Sequence, residues 1–193
     1  MPYQFQFYVD DNVHFECTLN SVQCTGRVKN GSRCKRKCIV PFEYCPVHLK
    51  NNLNLVVKTS TIPNAGKGVF AHGEPNAIIF RKDDRICSYD GQILTTQEID
   101  DRYTDGPLTA PYAVNTANDT NVDCACKRSV GSLINNSPGN NNVRFSWNAG
   151  QRKLSIKASK HIRGGQELFL AYGRQYDRLQ NNYRTKPKAN KRK

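Results

Sequence analysis

From Leu53 onwards the chain contains a series of short apolar runs that are broken by Gly, Asn, Asp and Pro. Runs of this length between turn-forming residues are typical of β-strands. The clearest predicted strands cover residues 55–57, 68–71, 77–80, 85–89 and 154–158. The pattern therefore predicts a mostly β fold built from short strands.

Two short helices interrupt this pattern. Thr95 stands three residues before Glu98, the spacing of a capping box, and predicts a helix over residues 95–103. A second short helix is predicted over residues 127–133. Residues 178–193 are polar, basic and almost without apolar side chains, which predicts a disordered tail.

Length and charge suggest how the chain is organised. With 193 residues, 37% of them hydrophobic, the chain has room for one main core and one small module. We expect an N-terminal segment over residues 1–50, a main domain over 51–177 and the basic tail over 178–193. The net charge of +13 lies mainly in residues 24–50 and in the tail. Such basic flanks favour a polyanionic partner such as nucleic acid or chromatin, although solubility alone also accounts for a basic tail.

The sequence contains neither a membrane-spanning apolar run nor a basic N-terminus followed by an apolar stretch. We therefore expect an intracellular protein. In that setting the eight cysteines are expected to be thiols or metal ligands rather than disulfides.

Four residues of the N-terminal segment have the spacing of a metal site: Cys24, Cys34, Cys45 and His48. Three thiolates and one imidazole suit a tetrahedral structural zinc ion. The segment is too polar to bury much apolar surface, so a metal would stabilise it. The pattern is similar to the small Cys-x-Gly-x-x-Cys and Cys-x-x-His knuckles of some viral and eukaryotic proteins.

Other assignments of these cysteines remain open. Cys38 has finger-like spacing from Cys34, and Cys17 is a third candidate, so either could replace Cys24 as a ligand. The cysteines could also be buried thiols that bind no metal.

Four motifs follow one another along the body of the chain: Gly66-Lys67-Gly68, Tyr89-Asp90-Gly91, Asn135-Asn136-Ser137 and Glu167-Leu168 followed by Tyr172-Gly173. A phosphate-binding loop is excluded for the first, because the Walker pattern needs Ser or Thr after Gly-Lys. In their order and spacing, the four motifs resemble those of SET-domain protein lysine methyltransferases. That resemblance implies several small sheets, short helices and a pseudoknot-like crossing near the C-terminus.

The same resemblance assigns the cofactor site. It implies that S-adenosylmethionine binds to Gly66, Lys67 and Gly68 and to Asn135 and Asn136. Asn136 departs from the family pattern, which has histidine at this position. No Cys-rich segment follows the last motif, so Tyr176 is the candidate to cover the adenine by stacking.

The resemblance also implies the catalytic residues. Tyr172 is expected to be the catalytic tyrosine, and Tyr112 to line the channel for the substrate lysine. A core aromatic on a strand is the alternative for Tyr112. Leu170 stands where relatives often carry Phe or Tyr that limits the number of methyl groups.

Taken together, these features predict a methyltransferase that uses S-adenosylmethionine to modify a protein lysine, with a histone as the expected substrate and the nucleus as the expected location. The main alternative is a catalytically silent SET-like fold that binds chromatin or nucleic acid. A purely structural metal-binding protein is a third interpretation, but it leaves the ordered motifs unexplained.

Overall fold

A computed structural model describes residues 3–9, 12–38, 42–104, 110–117 and 119–173. The helices there are α1 (Pro46–Leu53) and α2 (Thr96–Tyr103), and Val130–Leu133 forms a short 3₁₀ helix. The strands are, in chain order, β1 (Tyr3–Val9), β2 (Asn12–Leu19), β3 (Val22–Gln23), β4 (Lys37–Cys38), β5 (Leu55–Thr59), β6 (Lys67–Ala71), β7 (Ile78–Phe80), β8 (Arg85–Ser88), β9 (Gln92–Leu94), β10 (Ala113–Ala117), β11 (Thr120–Asp123), β12 (Asn135–Asn136), β13 (Val143–Asn148), β14 (Lys153–Ala158), β15 (Ile162–Arg163) and β16 (Phe169–Leu170).

These strands form seven small sheets within the described residues. Two sheets have three strands, in the orders β10-β11-β9 and β13-β14-β8. The other five are the pairs β1-β2, β3-β4, β5-β6, β7-β15 and β12-β16. All pairings are antiparallel except that of β12 with β16, which is parallel. The prediction of a mostly β fold made of several small sheets is confirmed.

Each of the five predicted strands is present, as β5, β6, β7, β8 and β14. The predicted capping box is also present, because the Thr95 side chain accepts from the Glu98 N–H and the Glu98 carboxylate accepts from the Thr95 N–H. The second helix is shorter than predicted. Its helical turn begins at Val130, because the Ser129 side chain bonds to the Ser88 carbonyl while its backbone stays extended.

An aromatic hairpin precedes the zinc-ligand pattern. It is formed by β1 and β2, and it was not predicted from the sequence. Phe5 and Leu19 from this hairpin pack with Ile99 and Tyr103 of α2 in a core of their own. The hairpin is therefore fastened to the side of the fold that carries α2.

The largest core lies between the sheets of the body. It joins residues from β5, β6, β8, β11 and β14 with the 3₁₀ segment and the C-terminal strand. Tyr112 and Tyr172 are partly buried at its edge. A third, smaller core surrounds the N-terminal cysteines, where Phe42 packs with them and Tyr44 and Leu133 pack against the cluster. None of the helices in the described ranges has the length and apolar character needed to span a membrane.

Candidate active site and metal centre

The parallel pairing of β12 and β16 brings two distant motifs together. Asn135 pairs with Phe169 and Asn136 with Leu170. Buried Asn142 holds the crossing in place: its amide group donates to the Glu167 carbonyl at 2.8 Å and accepts from the Phe169 N–H at 2.8 Å. The Asn segment and the Tyr-Gly segment therefore lie side by side, as the predicted crossing requires.

The Gly66-Lys67-Gly68 turn lies against the same crossing. The Asn135 amide donates to the Lys67 carbonyl at 3.1 Å. Gly66 has φ +73°, and no atom lies within 4 Å of the position that a Cβ would occupy, so a ligand can approach its backbone. At Gly68 a Cβ would lie 2.1 Å from the Glu167 carboxylate, so a larger residue would displace that carboxylate.

Glu167 connects the elements of this site. Its buried carboxylate accepts from the Ser60 hydroxyl at 2.7 Å, from the backbone N–H of Thr61 at 2.7 Å and from the Asn135 amide at 3.3 Å. Burial raises the pKa of this carboxyl, but these hydrogen bonds outweigh it and hold the pKa below its ordinary 4.5. The sequence motif includes Glu167 but does not reveal this role, because its partners Ser60 and Thr61 are more than a hundred residues away in the chain.

We expect Glu167→Gln to destabilise the fold by about 1–3 kcal/mol, because the glutamine amide turns a donor toward groups that are themselves donors. The carboxylate is stabilised in the folded state, so its contribution is present above pH 4.5 and is lost as the pH falls through the lowered folded pKa. Chemical denaturation at pH 7 and pH 3 measures this. A stability difference between variant and wild type that does not shrink at pH 3 would contradict the assignment.

Tyr172 is fixed at both ends. Its hydroxyl donates to the Ile134 carbonyl at 2.6 Å, and its backbone N–H donates to the Asn136 side chain at 3.0 Å. Asn136 therefore positions the tyrosine through a side chain that differs from the family's histidine. Leu170, two residues before Tyr172, is fully buried in the main core.

Tyr112 lies at the junction of two cores. Its ring packs edge-on against Phe5 with centroids 5.5 Å apart, and the Arg128 guanidinium lies 4.1 Å from its centroid. Its carbonyl accepts from the buried Tyr89 hydroxyl at 2.9 Å. Tyr112 is thus a partly buried aromatic at the edge of the body, next to a buried cation that sequence reasoning did not identify. Tyr176, the proposed adenine cover, lies outside the described residues.

The predicted metal ligands converge in the N-terminal segment. One ligand atom from each of Cys24, Cys34, Cys45 and His48 lies within 4.8 Å of all the others, and all four residues are buried. His48 Nδ1 lies 3.4 Å from the sulfurs of Cys24 and Cys45. Three sulfurs and one ring nitrogen at this spacing fit a zinc ion.

Neighbouring groups orient these ligands. His48 Nε2 lies 2.9 Å from the Arg27 carbonyl and donates to it, which leaves Nδ1 as the ligand atom. Backbone N–H groups of Gly26 and Cys45 donate to the Cys24 sulfur at 3.3 Å. A side chain at Gly26 would overlap the His48 ring, with its Cβ 2.4 Å from the ring carbon. Burial raises the pKa of the Cys45 thiol, but hydrogen bonds from His48 and Val47 lower it to about 6, which favours the thiolate that metals bind.

The two alternative ligands have different positions. Cys17 forms a disulfide with Cys126, so the expectation that all eight cysteines are thiols or ligands is wrong for this pair. The tertiary fold, and not the sequence spacing, brings together these residues, which are 109 positions apart. Cys38 is buried beside the cluster but is not part of the ligand set.

The fold consists of small sheets around the parallel crossing of β12 and β16. The glycine turn, Asn135 and Tyr172 lie beside this crossing. The sequence model of the SET domain matches residues 66–173, which is more than half of the chain. The chain belongs to the SET domain family. A search of curated proteins finds no match.

Solved structures with the same fold include the polycomb repressive complex 2 of Chaetomium thermophilum. Its crystal structure matches with a TM-score of 0.51 and 21% identity over 62% of this chain and 15% of that chain. The same complex in an autoinhibited conformation bound to S-adenosylmethionine matches with a TM-score of 0.50 and 20% identity over 67% of this chain and 17% of that chain. The present chain thus corresponds to a small part of those chains, and the likeness concerns the fold.

Proposed function

We propose that this protein is an S-adenosylmethionine-dependent protein-lysine N-methyltransferase. The observation that carries the proposal is the convergence of the Gly66-Lys67-Gly68 turn, Asn135 and Tyr172 at the crossing of β12 and β16 in a SET domain. A pocket that binds a polar ligand needs a few well-placed polar groups. Here they are the backbone of the glycine turn, the Asn135 amide and the Tyr172 hydroxyl, which suit a polar cofactor next to a reacting amine.

The residues around the crossing fit this cofactor. The backbone at Gly66 is open to a ligand, and Lys67 has an exposed amine that makes no ion pair among the described residues. This amine suits the cofactor carboxylate. Gly68, Asn135 and Asn136 would complete the site, with Tyr176 proposed as the cover over the adenine.

When bound, S-adenosylmethionine supplies an activated methyl group on a cationic sulfur. The chain's own task is to orient a neutral lysine amine, because an ammonium has no lone pair for attack. The Tyr172 oxygen is held by the Ile134 carbonyl and can accept an amine N–H, which aligns the amine lone pair. Tyr112 is proposed to line the channel, and Leu170 to limit its depth near Tyr172.

The nearby buried cation supports the same chemistry. Arg128 is largely buried and stacks on the Tyr112 ring. A fixed positive charge beside the channel disfavours the charged form of an entering lysine and so favours the neutral amine. The lysine proton is lost to solvent before attack, and no acid–base pair in the chain is required.

We further propose a structural zinc ion bound by Cys24, Cys34, Cys45 and His48. The proposed substrate is a histone lysine, and the proposed location is the nucleus. The support for both is the positive charge of residues 24–50 and 178–193, which suits chromatin. We also propose that the chain consists of an N-terminal segment (residues 1–50), a catalytic SET domain (51–177) and a basic tail (178–193).

Calorimetric titration with S-adenosylmethionine tests the cofactor site. We expect saturable binding by the full chain and at least about tenfold weaker binding by Asn135→Ala, because the variant loses an amide contact worth about 1.4 kcal/mol or more. Asn51→Ala, an exposed asparagine on α1, is the matched control and should bind normally.

The alternative of a catalytically silent SET-like module predicts a different titration. It expects folded protein without detectable heat of S-adenosylmethionine binding. That result, with normal thermal unfolding of the same sample, would exclude the enzyme and favour the silent module.

A further inference from the structure

The metal-binding segment carries a dense group of exposed cations. No Asp or Glu occurs between Cys24 and Phe42. In the described part of the chain, no ion pair involves these cations. They are, in chain order, Arg27, Lys29, Arg33, Lys35, Arg36 and Lys37. A surface that served only solubility would mix charges of both signs, as residues 51–177 do.

The backbone holds two of these cations close to each other. Arg27 and Arg33 face each other across an antiparallel bridge, although like charges directly opposite one another are destabilising. Each guanidinium bonds to backbone carbonyls: Arg27 to Gly31 at 2.7 Å, and Arg33 to Cys24 at 3.0 Å and to Gln23 at 2.9 Å. These bonds fix the side chains but leave their charge uncompensated.

Three further cations are exposed because the cysteines on either side of them are buried. Lys35, Arg36 and Lys37 lie between buried Cys34 and buried Cys38 and are themselves exposed. The cysteines hold this short segment against the module's own core. We call these six exposed cations of residues 27–37, which surround the buried cysteines, the basic face.

We propose that this basic face binds the phosphate backbone of double-stranded DNA. Guanidinium and ammonium groups are the side chains that neutralise phosphates, and duplex DNA presents a regular row of them. No aromatic residue occurs between Cys24 and Cys38, so the face has no platform for stacking unpaired bases. Within residues 27–37, Val28 is the exposed large apolar side chain, and one isolated valine does not form the apolar centre of a protein interface.

This binding needs no methyl transfer, but it rests on the proposed zinc site, which orders the face. It extends the proposed function by naming the partner: the module contacts the DNA of a nucleosome while the SET domain modifies a protein lysine. Because backbone phosphates carry no sequence information, the binding is independent of DNA sequence.

Fluorescence anisotropy with a random-sequence duplex, at several salt concentrations, tests the proposal on the full chain. We expect the triple variant Lys35→Gln, Arg36→Gln, Lys37→Gln to bind more than about tenfold more weakly near 0.1 M salt. The slope of log affinity against log salt should become shallower by up to about 2.7, or about 0.9 for each lost phosphate contact. The control triple variant Lys82→Gln, Lys153→Gln, Lys160→Gln removes three exposed cations from the body of the chain and should retain most of the affinity.

Three results would overturn the proposal. Equal losses in both triple variants would mean that only net charge matters. Unchanged binding by the module variant would place DNA contact elsewhere, such as residues 178–193. Displacement of DNA by polyglutamate at equal charge concentration would identify a face for acidic proteins instead.

Calorimetry on the same variants separates this proposal from the enzymatic one. Normal S-adenosylmethionine binding by the module variant, together with weakened DNA binding, supports both proposals. If the protein binds DNA through the basic face but binds no S-adenosylmethionine, the DNA proposal is supported and the enzymatic proposal is rejected.

Discussion

Replacing Tyr172 by phenylalanine is expected to lower methyl transfer at least about 100-fold, while the dissociation constant for S-adenosylmethionine changes by less than about threefold. The substitution removes only the hydroxyl, which is held by the Ile134 carbonyl at the crossing. Losing one oriented polar group of an active site typically costs about 10²–10³ in rate. The ring, partly buried against the main core, is retained.

Steady-state transfer of labelled methyl groups to mixed histones, combined with calorimetry, measures both quantities. Tyr3→Phe is the matched control, because it removes an exposed tyrosine hydroxyl on the N-terminal hairpin. A Tyr172→Phe enzyme that keeps more than half of the wild-type rate would remove Tyr172 from the catalytic role.

Loss of the zinc site is expected to have the second largest effect. Cys45→Ser should release the zinc and lower the stability of the fold by about 3 kcal/mol or more, because a structural metal contributes directly to folding. For a chain of this size that corresponds to a fall of at least about 6–12 °C in melting temperature. Elemental analysis and thermal unfolding measure the two effects.

The effect should extend to the cofactor site. Leu133 packs against the cysteine cluster and stands two residues before Asn135. Disordering the cluster therefore removes a support of β12, and S-adenosylmethionine binding should weaken with it. Cys38→Ala is the control, because Cys38 is buried beside the cluster outside the ligand set. If Cys45→Ser retained zinc and Cys38→Ala lost it, Cys38 and not Cys45 would be the ligand.

Local patterns in the sequence were sufficient for part of the fold. The capping box at Thr95 and Glu98 predicted the start of α2, since both partners lie within one turn. Two further elements, β1 and α1, also have local patterns in the sequence. Tyr3, Phe5 and Phe7 alternate with glutamines, as expected of a strand, and Pro46 stands at the first position of α1.

Contacts between residues far apart in the chain could not be predicted from local sequence patterns. The Cys17–Cys126 disulfide and the buried position of Arg128 against the hairpin depend on the tertiary fold. The order of the SET motifs did imply the crossing, and the structure places Asn135 next to Phe169 there. The order of the motifs did not reveal that Glu167 and Asn142 hold the crossing together. Hydrogen bonds between residues far apart in the chain produce no regular spacing in the sequence.

Transfer of a labelled methyl group from S-adenosylmethionine to histones by the purified full chain tests the central claim most directly. Mass spectrometry of the products locates the modification. Methylated lysine that requires both the protein and the cofactor is the result we predict. Folded, zinc-loaded protein that binds S-adenosylmethionine but methylates no lysine in histones or in a mixed pool of basic proteins would contradict it.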